Sequence, residues 1–430
     1  MKKRLLSALC AVMLLICAVP MASAQTGDAA RRADALTVLH LLSEDPGRDL
    51  TAPATRAQAA VLLVRLAGGE KKPDTDGWFA GFRDVPDWAR TAANYANRRG
   101  WISGVSNVQF DPNGHLNADA WCAMLLRMLG YSDKTGDFEI SDAAAFAWRI
   151  GLTGRQLTGI LSVGDLAESI YDALDFCYKG TETTVLSRLM DLGVCTASAA
   201  NALGLLNKDY TARQLADRYL SAAFQLSLYE TEEQVHDEVS SADASGFFIS
   251  ADGLAVTNYH SIEDSIKATA TLLNGETYEV ERVLYYDTGI DIAVIKVSRT
   301  NQSRRTTSAF NHLCLVGTAD IRPGDPVYAI GNPLGLGLAI SSGIIGSTAH
   351  ELDRYALPCI VNSADISRGS SGGALMNAHG QVIGVTSGAY TYGNNMYLAV
   401  PVDPVMAADL TVSGWTLKEV KAIEAAKDKD

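Results

Sequence analysis

The chain has 430 residues, of which 47% are apolar and 20% charged, a balance that excludes a wholly disordered protein. This length allows two or three domains, each large enough to bury a core of its own. The formal net charge is −13, so nucleic acid and anionic membrane surfaces are not expected as partners.

The first 24 residues have the composition of an export signal. Three basic residues at positions 2–4 precede an apolar stretch from Leu5 to Val19, and Ala22-Ser23-Ala24 supplies the small residues that a signal peptidase reads. The sequence therefore predicts a signal peptide over 1–24 and an exported, secreted protein. An uncleaved membrane anchor is the alternative, because the apolar run is nearly long enough to span a bilayer.

Cysteine usage gives no sign of a metal site. An odd number of cysteines follows the predicted cleavage point, so they cannot all pair, and no C-x-x-C spacing occurs. Most are expected to be small buried hydrophobic residues, and the sequence does not decide whether any two form a disulfide. We expect neither a metal nor an organic cofactor. The five cysteines are Cys122, Cys177, Cys195, Cys314 and Cys359.

Residues from about 30 to 200 are predicted to form short helices broken by loops. Arg56 to Leu66 and Ala118 to Leu129 place apolar residues at helical spacing. Each run ends just before a glycine, Gly68 or Gly130, as the C-terminus of a helix commonly does. The two helices also align with each other, which indicates an internal repeat.

The second copy of this repeat is the fuller one. It contains Phe82 to Pro86, then Gly100 to Gly104, then Phe110 to Pro112. It resembles the S-layer homology repeat, a helical module that in its family binds cell-wall polysaccharide and usually occurs in threes. The resemblance implies copies over about 33–68, 79–130 and 137–178, and a protein associated with the cell wall.

The repeats depart from that family where polysaccharide would bind. The short T-R-A-E segment of the family corresponds to Thr55-Arg56-Ala57-Gln58 in the first copy, whereas the other two copies lack the arginine. Arg56 is therefore the candidate polymer-binding residue, because a guanidinium can bind an anionic group through two hydrogen bonds. The alternative is a helical scaffold with weak or no affinity for the polymer.

Residues 201–243 are expected to connect this helical part to the rest of the chain. Ala212 to Glu230 has an apolar stripe at helical spacing, which predicts a helix. The acidic, serine-rich stretch from Glu232 to Asp243 is typical of a solvated linker.

From Gly246 onward, short apolar or alternating runs follow one another with turn residues between them. Many short strands at such spacing indicate an all-β barrel or sandwich, and this length suits two small barrels. The predicted strands are Gly246–Ile249, Leu254–Asn258, Ala268–Leu273, Ile292–Val297, Val327–Ile330, Ile360–Asn362, Val382–Thr386 and Met396–Val400.

Three residues of this part are candidates for nucleophilic catalysis. Ser371 is flanked by glycines that permit an exposed tight turn, although a plain Gly/Ser turn has the same composition. His260 follows an apolar strand, where a hydrogen-bonded structural histidine is the alternative. Asp291 opens the next such strand, and its carboxylate must be paired if it is buried; capping the strand is the alternative.

The combination is more specific than its parts. The chain order His260, Asp291, Ser371 is that of chymotrypsin-type double barrels, and α/β-hydrolases and subtilisins use other orders. We therefore predict that His260 acts as general base, that Asp291 orients it, and that Ser371 attacks a peptide carbonyl. The backbone N–H groups of Gly369 and Ser371 are expected to bind the oxyanion.

Several longer stretches resemble the HtrA branch of that fold, over about 244–405. The resemblance implies a trypsin-like serine protease domain over 244–412, acting on proteins or peptides, and leaves a trimer open. The tail over 413–430 is too short for the PDZ domain that is common in the family, so none is expected. The stretches are Ser245-Gly246-Phe247, Thr257 to His260, Asp291 to Val297, Ile330 to Gly335, Ser342 to Ile345, Gln381 to Val385 and Ala399 to Pro401.

The sequence also departs from the HtrA pattern next to the nucleophile. Ser370 stands where the family usually has asparagine, and Arg368 stands where proline is common, which bears on substrate specificity. Two other functions remain open. One is a catalytically silent, protease-like surface protein that serves as a cell-wall-anchored binding module, and the other is an esterase with the same triad.

Overall fold

A computed structural model of the chain describes residues 28–43, 48–69, 80–181, 183–206, 208–389 and 395–427. The signal peptide predicted over 1–24 lies outside these residues. The chain forms two compact units. One comprises Met1–Trp148 and Gln156–Leu206, and the other comprises Arg149–Arg155 and Asn207–Asp430. Among the described helices, none is long and apolar enough to cross a lipid bilayer.

The first unit is helical, as expected, and several of its helices begin at side-chain caps. The Thr55 side chain accepts a hydrogen bond from the backbone of Gln58, whose side chain accepts one from the Thr55 backbone, so the helix Arg56–Leu66 starts at a capping box. Gly68 follows its end at φ +70°. The helices are residues 28–38, Arg56–Leu66, Asp87–Arg98, Ala118–Met128, Ala143–Arg149, Val163–Ala173, Val185–Asp191 and Ala197–Ala202, with short 3-10 turns at Asp133–Thr135 and Ile140–Asp142.

Three helices of this unit meet at their N-termini. Ala54, Leu116 and Leu161 each lie just before one of them and form a ring of backbone hydrogen bonds. The Ala54 N–H donates to the Leu161 carbonyl at 2.8 Å, that of Leu161 to Leu116 at 2.9 Å, and that of Leu116 to Ala54 at 3.0 Å. The ring arranges the three helix starts with approximate threefold symmetry, and each predicted repeat contains one of them. The likeness of the repeats to S-layer homology modules stays a prediction.

The second unit contains two closed, antiparallel β-barrels of six strands each, as the sequence predicted. The strands are β1 (Ala223–Tyr229), β2 (Ala242–Phe248), β3 (Leu254–Thr257), β4 (Lys267–Leu272), β5 (Thr277–Asp287), β6 (Ile292–Asn301), β7 (Pro326–Gly331), β8 (Ala339–His350), β9 (Cys359–Asn362), β10 (Ala374–Asn377), β11 (Val382–Ala389) and β12 (Tyr397–Pro401). Neighbouring strands follow the order β1-β2-β3-β6-β5-β4 around the first barrel and β10-β11-β12-β9-β8-β7 around the second.

Strand β1 corrects the predicted helical connector. The helix there covers only Ala212–Tyr219, and β1 pairs with both β2 and β4 to close the first barrel. Its large buried residues, Phe224, Leu226 and Leu228, follow the period of two that a strand requires. The expected acidic linker is also wrong, since it contains the helix Glu232–Asp237 and the start of β2. The barrels therefore begin before residue 244.

The predicted C-terminal tail is part of the first barrel. Residues Leu417–Lys427 form a helix whose Leu417 and Val420 are buried in that barrel's apolar core. Before the helix, Trp415 and Val283 exchange two backbone hydrogen bonds of 2.7 and 2.8 Å. The sequence predicted residues 413–430 only as a C-terminal tail, because the role of its apolar residues depends on contacts with β4 and β5. A shorter helix, Asp403–Ala407, precedes it.

Candidate active site

Strands β3 and β6 place His260 next to Asp291. His260 lies in the helical turn Tyr259–Ile262 that follows β3, and Asp291 immediately precedes β6. These two strands pair with each other, so their polar ends lie side by side. The Nδ1 atom of His260 is 2.8 Å from Oδ2 and 3.0 Å from Oδ1 of Asp291. The backbone N–H of His260 also donates to Oδ1 of Asp291, at 2.9 Å.

The Asp291 carboxylate is buried and well compensated. The residue is 6% exposed, and its φ is +66°, in the left-handed region that aspartate tolerates better than most residues. The side chain of Asn258 donates to the Asp291 carbonyl at 2.8 Å. The Ser387 hydroxyl donates to Oδ2 of Asp291 at 2.7 Å. With the two bonds from His260, these contacts replace the water that the carboxylate loses on burial.

Ser371 lies in the loop between β9 and β10 of the second barrel. Its hydroxyl donates to the Ser387 carbonyl at 3.1 Å, so it does not point at the imidazole in this structure. Ser387 thus contacts both other groups, with its carbonyl on Ser371 and its hydroxyl on Asp291. The structure brings His260, Asp291 and Ser371 together at one place, with Ser387 as the residue that connects them.

Ser245 on β2 fixes the loop that carries the nucleophile. It is fully buried, and its backbone N–H donates to the Ser371 carbonyl at 2.8 Å. Its hydroxyl donates to the Gly369 carbonyl at 2.7 Å and accepts the backbone N–H of Asn332 at 2.8 Å. These bonds tie the loop to a strand of the first barrel and to the end of β7. The position of Ser371 therefore depends on both barrels.

Gly369 has the backbone that an oxyanion hole requires. Its φ is +94°, and a Cβ atom there would lie 2.6 Å from the carbonyl oxygen of Asn332, so only glycine fits. Within the described part of the chain, the N–H groups of Gly369 and Ser371 donate no hydrogen bond. Two donors without an acceptor beside a nucleophile suit a developing oxyanion.

Comparison with known proteins agrees with this geometry. Residues 244–385 match the family described as trypsin-like peptidase domain. The chain is 31% identical over 219 residues to "Serine protease HTRA1A" of Danio rerio, covering 50% of this chain and 44% of that protein. It is 35% identical over 177 residues to "Probable periplasmic serine endoprotease DegP-like" of Halomonas elongata, covering 40% and 35%. The C-terminal part of the chain contains an HtrA-family, trypsin-like serine protease domain.

The matches to these HtrA relatives cover only part of each chain. The chain spans less than half of the length of either of these two relatives. Among solved structures, "HtrA-type protease AlgW with tripeptide" is 24% identical, with a TM-score of 0.39, over 46% of this chain and 62% of that one.

The HtrA-type domain contains site residues that the sequence analysis missed. Ser387 and Ser245 are described above, and Tyr355 adds a third, with its hydroxyl 2.9 Å from that of Ser387. Burial raises the pKa of Tyr355, so its hydroxyl stays protonated and can donate to Ser387, which in turn donates to Asp291. The Thr-Ser-Gly segment at the end of a strongly apolar strand was the available signal for Ser387. Nothing in the sequence marked Tyr355.

In the helical unit, Arg56 is largely engaged within its own fold. Its Nε donates to the Phe110 carbonyl at 2.9 Å and its Nη2 to the Ser103 carbonyl at 2.7 Å. The guanidinium also lies 4.8 Å from the centre of the Phe110 ring. Burial lowers the pKa of Arg56, while the nearby Asp111 and Asp84 oppose that shift. The contacts give this arginine a structural role whether or not it also binds a polymer.

Burial keeps two of the cysteines unreactive. It raises the pKa of the Cys122 thiol to about 12 and that of Cys359 to about 11, so both stay protonated. Cys195 is also a buried free thiol. Over the described ranges, no cluster of three or more histidine, cysteine or acidic side chains is arranged to hold a metal ion.

Proposed function

We propose that this protein is an exported serine endopeptidase that cleaves proteins or peptides through Ser371, His260 and Asp291. The observation that carries the proposal is the contact between His260 and a buried Asp291, together with the Ser387 link from Asp291 to Ser371. The HtrA-family likeness of the domain supports it. The Halomonas relative is named a periplasmic endoprotease, which supports export of this chain.

The reaction begins with a rotation of the Ser371 side chain. The hydroxyl leaves the Ser387 carbonyl and turns toward Nε2 of His260, a contact that serine hydrolases commonly complete only when substrate binds. His260 takes the hydroxyl proton as the Ser371 oxygen attacks the peptide carbonyl. Asp291 accepts the hydrogen bond from Nδ1, which fixes the tautomer and stabilises the imidazolium that forms.

The negative charge then moves to the carbonyl oxygen of the substrate. The N–H groups of Gly369 and Ser371 bind that oxygen, and each such donor stabilises the transition state by roughly 3 kcal/mol. His260 next gives its proton to the leaving amine, so an acyl-enzyme forms on Ser371. Water then attacks the acyl-enzyme while His260 takes one of its protons. His260 returns that proton to the Ser371 oxygen as the acid product leaves.

A fluorophosphonate probe tests this proposal directly, because it reacts with an activated serine. We expect the purified protein to be labelled and the Ser371→Ala variant to lose all labelling and all hydrolysis of a protein substrate such as casein. Ser367→Ala, in the same loop, is the matched control and should keep both activities. If a wild-type protein with a folded circular-dichroism spectrum is not labelled, the catalytic proposal is wrong and the silent binding module is favoured.

The helical unit suggests where the enzyme acts. We propose that it holds the protease at the cell surface by binding cell-wall polysaccharide. The approximate threefold arrangement of its helix starts supports this, because S-layer homology repeats, which the sequence resembles, usually occur in threes. Arg56 has two of its donors engaged by carbonyl groups, so polymer contacts would use the rest of its guanidinium.

A further inference from the structure

The loop that leads to Ser371 carries an exposed carboxylate. Asp365 lies in this loop, shortly after the end of β9. Its backbone carbonyl accepts the Ser341 hydroxyl at 2.6 Å, which fixes the main chain. One oxygen of its carboxylate accepts the hydroxyl of Tyr397, which fixes the side chain. The carboxylate is therefore held in one place although it is open to solvent.

Tyr397 connects this carboxylate to the strand beside the nucleophile. It begins β12 and pairs with Ala389 of β11. Ser387, on the same strand, accepts the Ser371 hydroxyl through its carbonyl. The loop from Asp365 to Ser371 is thus held against the β11–β12 pair at both ends, at Tyr397 through Asp365 and at Ser387 through Ser371.

The segment of β11 next to Ser371 leaves room for a substrate. Gly388 lies between Ser387 and Ala389, and a Cβ atom there would meet nothing within 4 Å. A strand edge with open space beside it can receive an extended peptide, whose side chains then enter neighbouring pockets. The residue whose carbonyl Ser371 attacks would then direct its side chain along this segment of β11, toward Asp365.

The Asp365 carboxylate can accept further hydrogen bonds. In the described part of the chain, Oδ2 has no hydrogen-bond partner and no cationic side chain pairs with the carboxylate. This includes Arg368, which follows on the same loop. The bond to the carboxylate raises the pKa of Tyr397, so its hydroxyl remains a donor that orients the acceptor. A guanidinium or an ammonium group would satisfy the remaining oxygen.

We propose that Asp365 determines the specificity of this protease and selects arginine or lysine as the residue whose carbonyl is attacked. An acidic group at the base of the pocket beside the nucleophile is how a trypsin-type site recognises a basic side chain. The inference rests on the proposed endopeptidase function and adds the substrate class to it. Arginine fits best, because its planar fork can bond to both carboxylate oxygens or to one oxygen and a neighbour.

Quenched fluorescent peptides that differ at a single residue test the proposal. The series carries arginine, lysine, citrulline or valine on the acyl side of the cleaved bond; citrulline matches arginine in shape but has no charge. For the wild type, kcat/KM should be about 100-fold higher with arginine than with citrulline. The Asp365→Asn variant should reduce that ratio to below about tenfold, because it keeps the shape and removes the charge.

Asp320→Asn is the matched control, since it makes the same change at an exposed position before β7 and should keep the full arginine preference. Fluorophosphonate labelling run in parallel separates the two proposals. If the wild type is labelled but cleaves the valine peptide best, with no effect of Asp365→Asn, the specificity assignment is overturned and the protease function stands.

Binding of p-aminobenzamidine, a fluorescent mimic of the arginine side chain, tests the pocket without catalysis. The Ser371→Ala variant should bind it, and the added Asp365→Asn change should weaken binding about 100-fold. Binding of this kind by a protein that the fluorophosphonate does not label would support the acidic site at Asp365 and overturn the protease function. Absence of binding in both variants would overturn the pocket.

Discussion

At the scale of single residues, Ser387 has the largest number of roles in the candidate site. Its carbonyl holds the Ser371 hydroxyl, and its own hydroxyl donates to Asp291 while accepting from Tyr355. A buried carboxylate that loses one of its donors becomes less stable as an anion, and its hold on the imidazole changes. Ser387 and Tyr355 therefore act on the chemistry through Asp291 and His260, as positioning residues.

We expect Ser387→Ala to lower kcat on the order of 10–100-fold with little change in KM, because a hydrogen bond to a buried charge is lost. Tyr355→Phe should lower kcat by only about 2–5-fold, since its bond reaches Asp291 through Ser387. Steady-state kinetics with a fluorescent peptide, together with fluorophosphonate labelling rates, measures both effects. Ser347→Ala on β8 is the control and should behave as wild type. Equal losses in all three variants would contradict the positioning role.

At the scale of elements, the C-terminal helix reaches the part of the first barrel that carries His260. Tyr286 on β5 stacks on Tyr259 with the ring centres 5.4 Å apart, and Trp415 packs edge-on against Tyr286 at 5.8 Å. The Tyr286 hydroxyl donates to Glu424 of the helix at 2.8 Å. Because Tyr259 immediately precedes His260, the helix supports the turn that holds the proposed general base.

Val420 gives a test of this support. It is fully buried in the core of the first barrel, so Val420→Ala should lower the free energy of unfolding by about 2 kcal/mol through lost apolar contacts and a residual cavity. Val412→Ala removes the same two methyl groups at a position that is 41% exposed and should cost about 0.5 kcal/mol or less. Chemical unfolding followed by Trp fluorescence compares the two. Equal stabilities of the variants would mean that the helix does not stabilise the barrel.

At the scale of the whole molecule, the chain combines a barrel unit that contains the proposed chemistry with a helical unit that contains none of the candidate catalytic residues. The formal charge of −13 makes a cationic substrate electrostatically favourable overall, in keeping with the arginine or lysine selectivity proposed for Asp365. The helical unit then needs a different role, and the cell-wall association proposed for it is one that can be measured.

Cosedimentation with purified Gram-positive cell walls tests that association in the full-length protein. We expect the protein to sediment with the walls and Arg56→Gln to reduce the bound fraction several-fold, because the variant loses a cation that can pair with an anionic polymer. Arg83→Gln, on an exposed side chain of the same unit, is the control for net charge. No sedimentation with any wall preparation would leave the helical unit as a scaffold.

The sequence by itself determined the features that depend on neighbouring residues. Apolar spacing and the glycine that follows predicted the helix Arg56–Leu66, and short apolar or alternating runs between turn residues predicted eight of the strands. The spacing of glycines around Ser371 and the chain order of the three candidate residues predicted the type of chemistry. These signals are local, because a helix end, a turn or the period of a strand depends on only a few neighbouring residues.

Only the tertiary structure decided the rest, because the contacts involved are far apart in the chain. Strand β1 directly follows a helix, and its apolar residues also fit helical spacing. Its pairing with β4 therefore decides that it is a strand. Strand β8 has a single buried residue, Ile345, so its sequence lacks the alternation of apolar residues that marks the other strands. Its Gly343 is required by a distant segment, since a Cβ atom there would lie 2.2 Å from the backbone nitrogen of Ala364. The contacts of Ser387 with Asp291 and of Asp365 with Tyr397 likewise arise from folding, which brings distant segments within hydrogen-bonding distance.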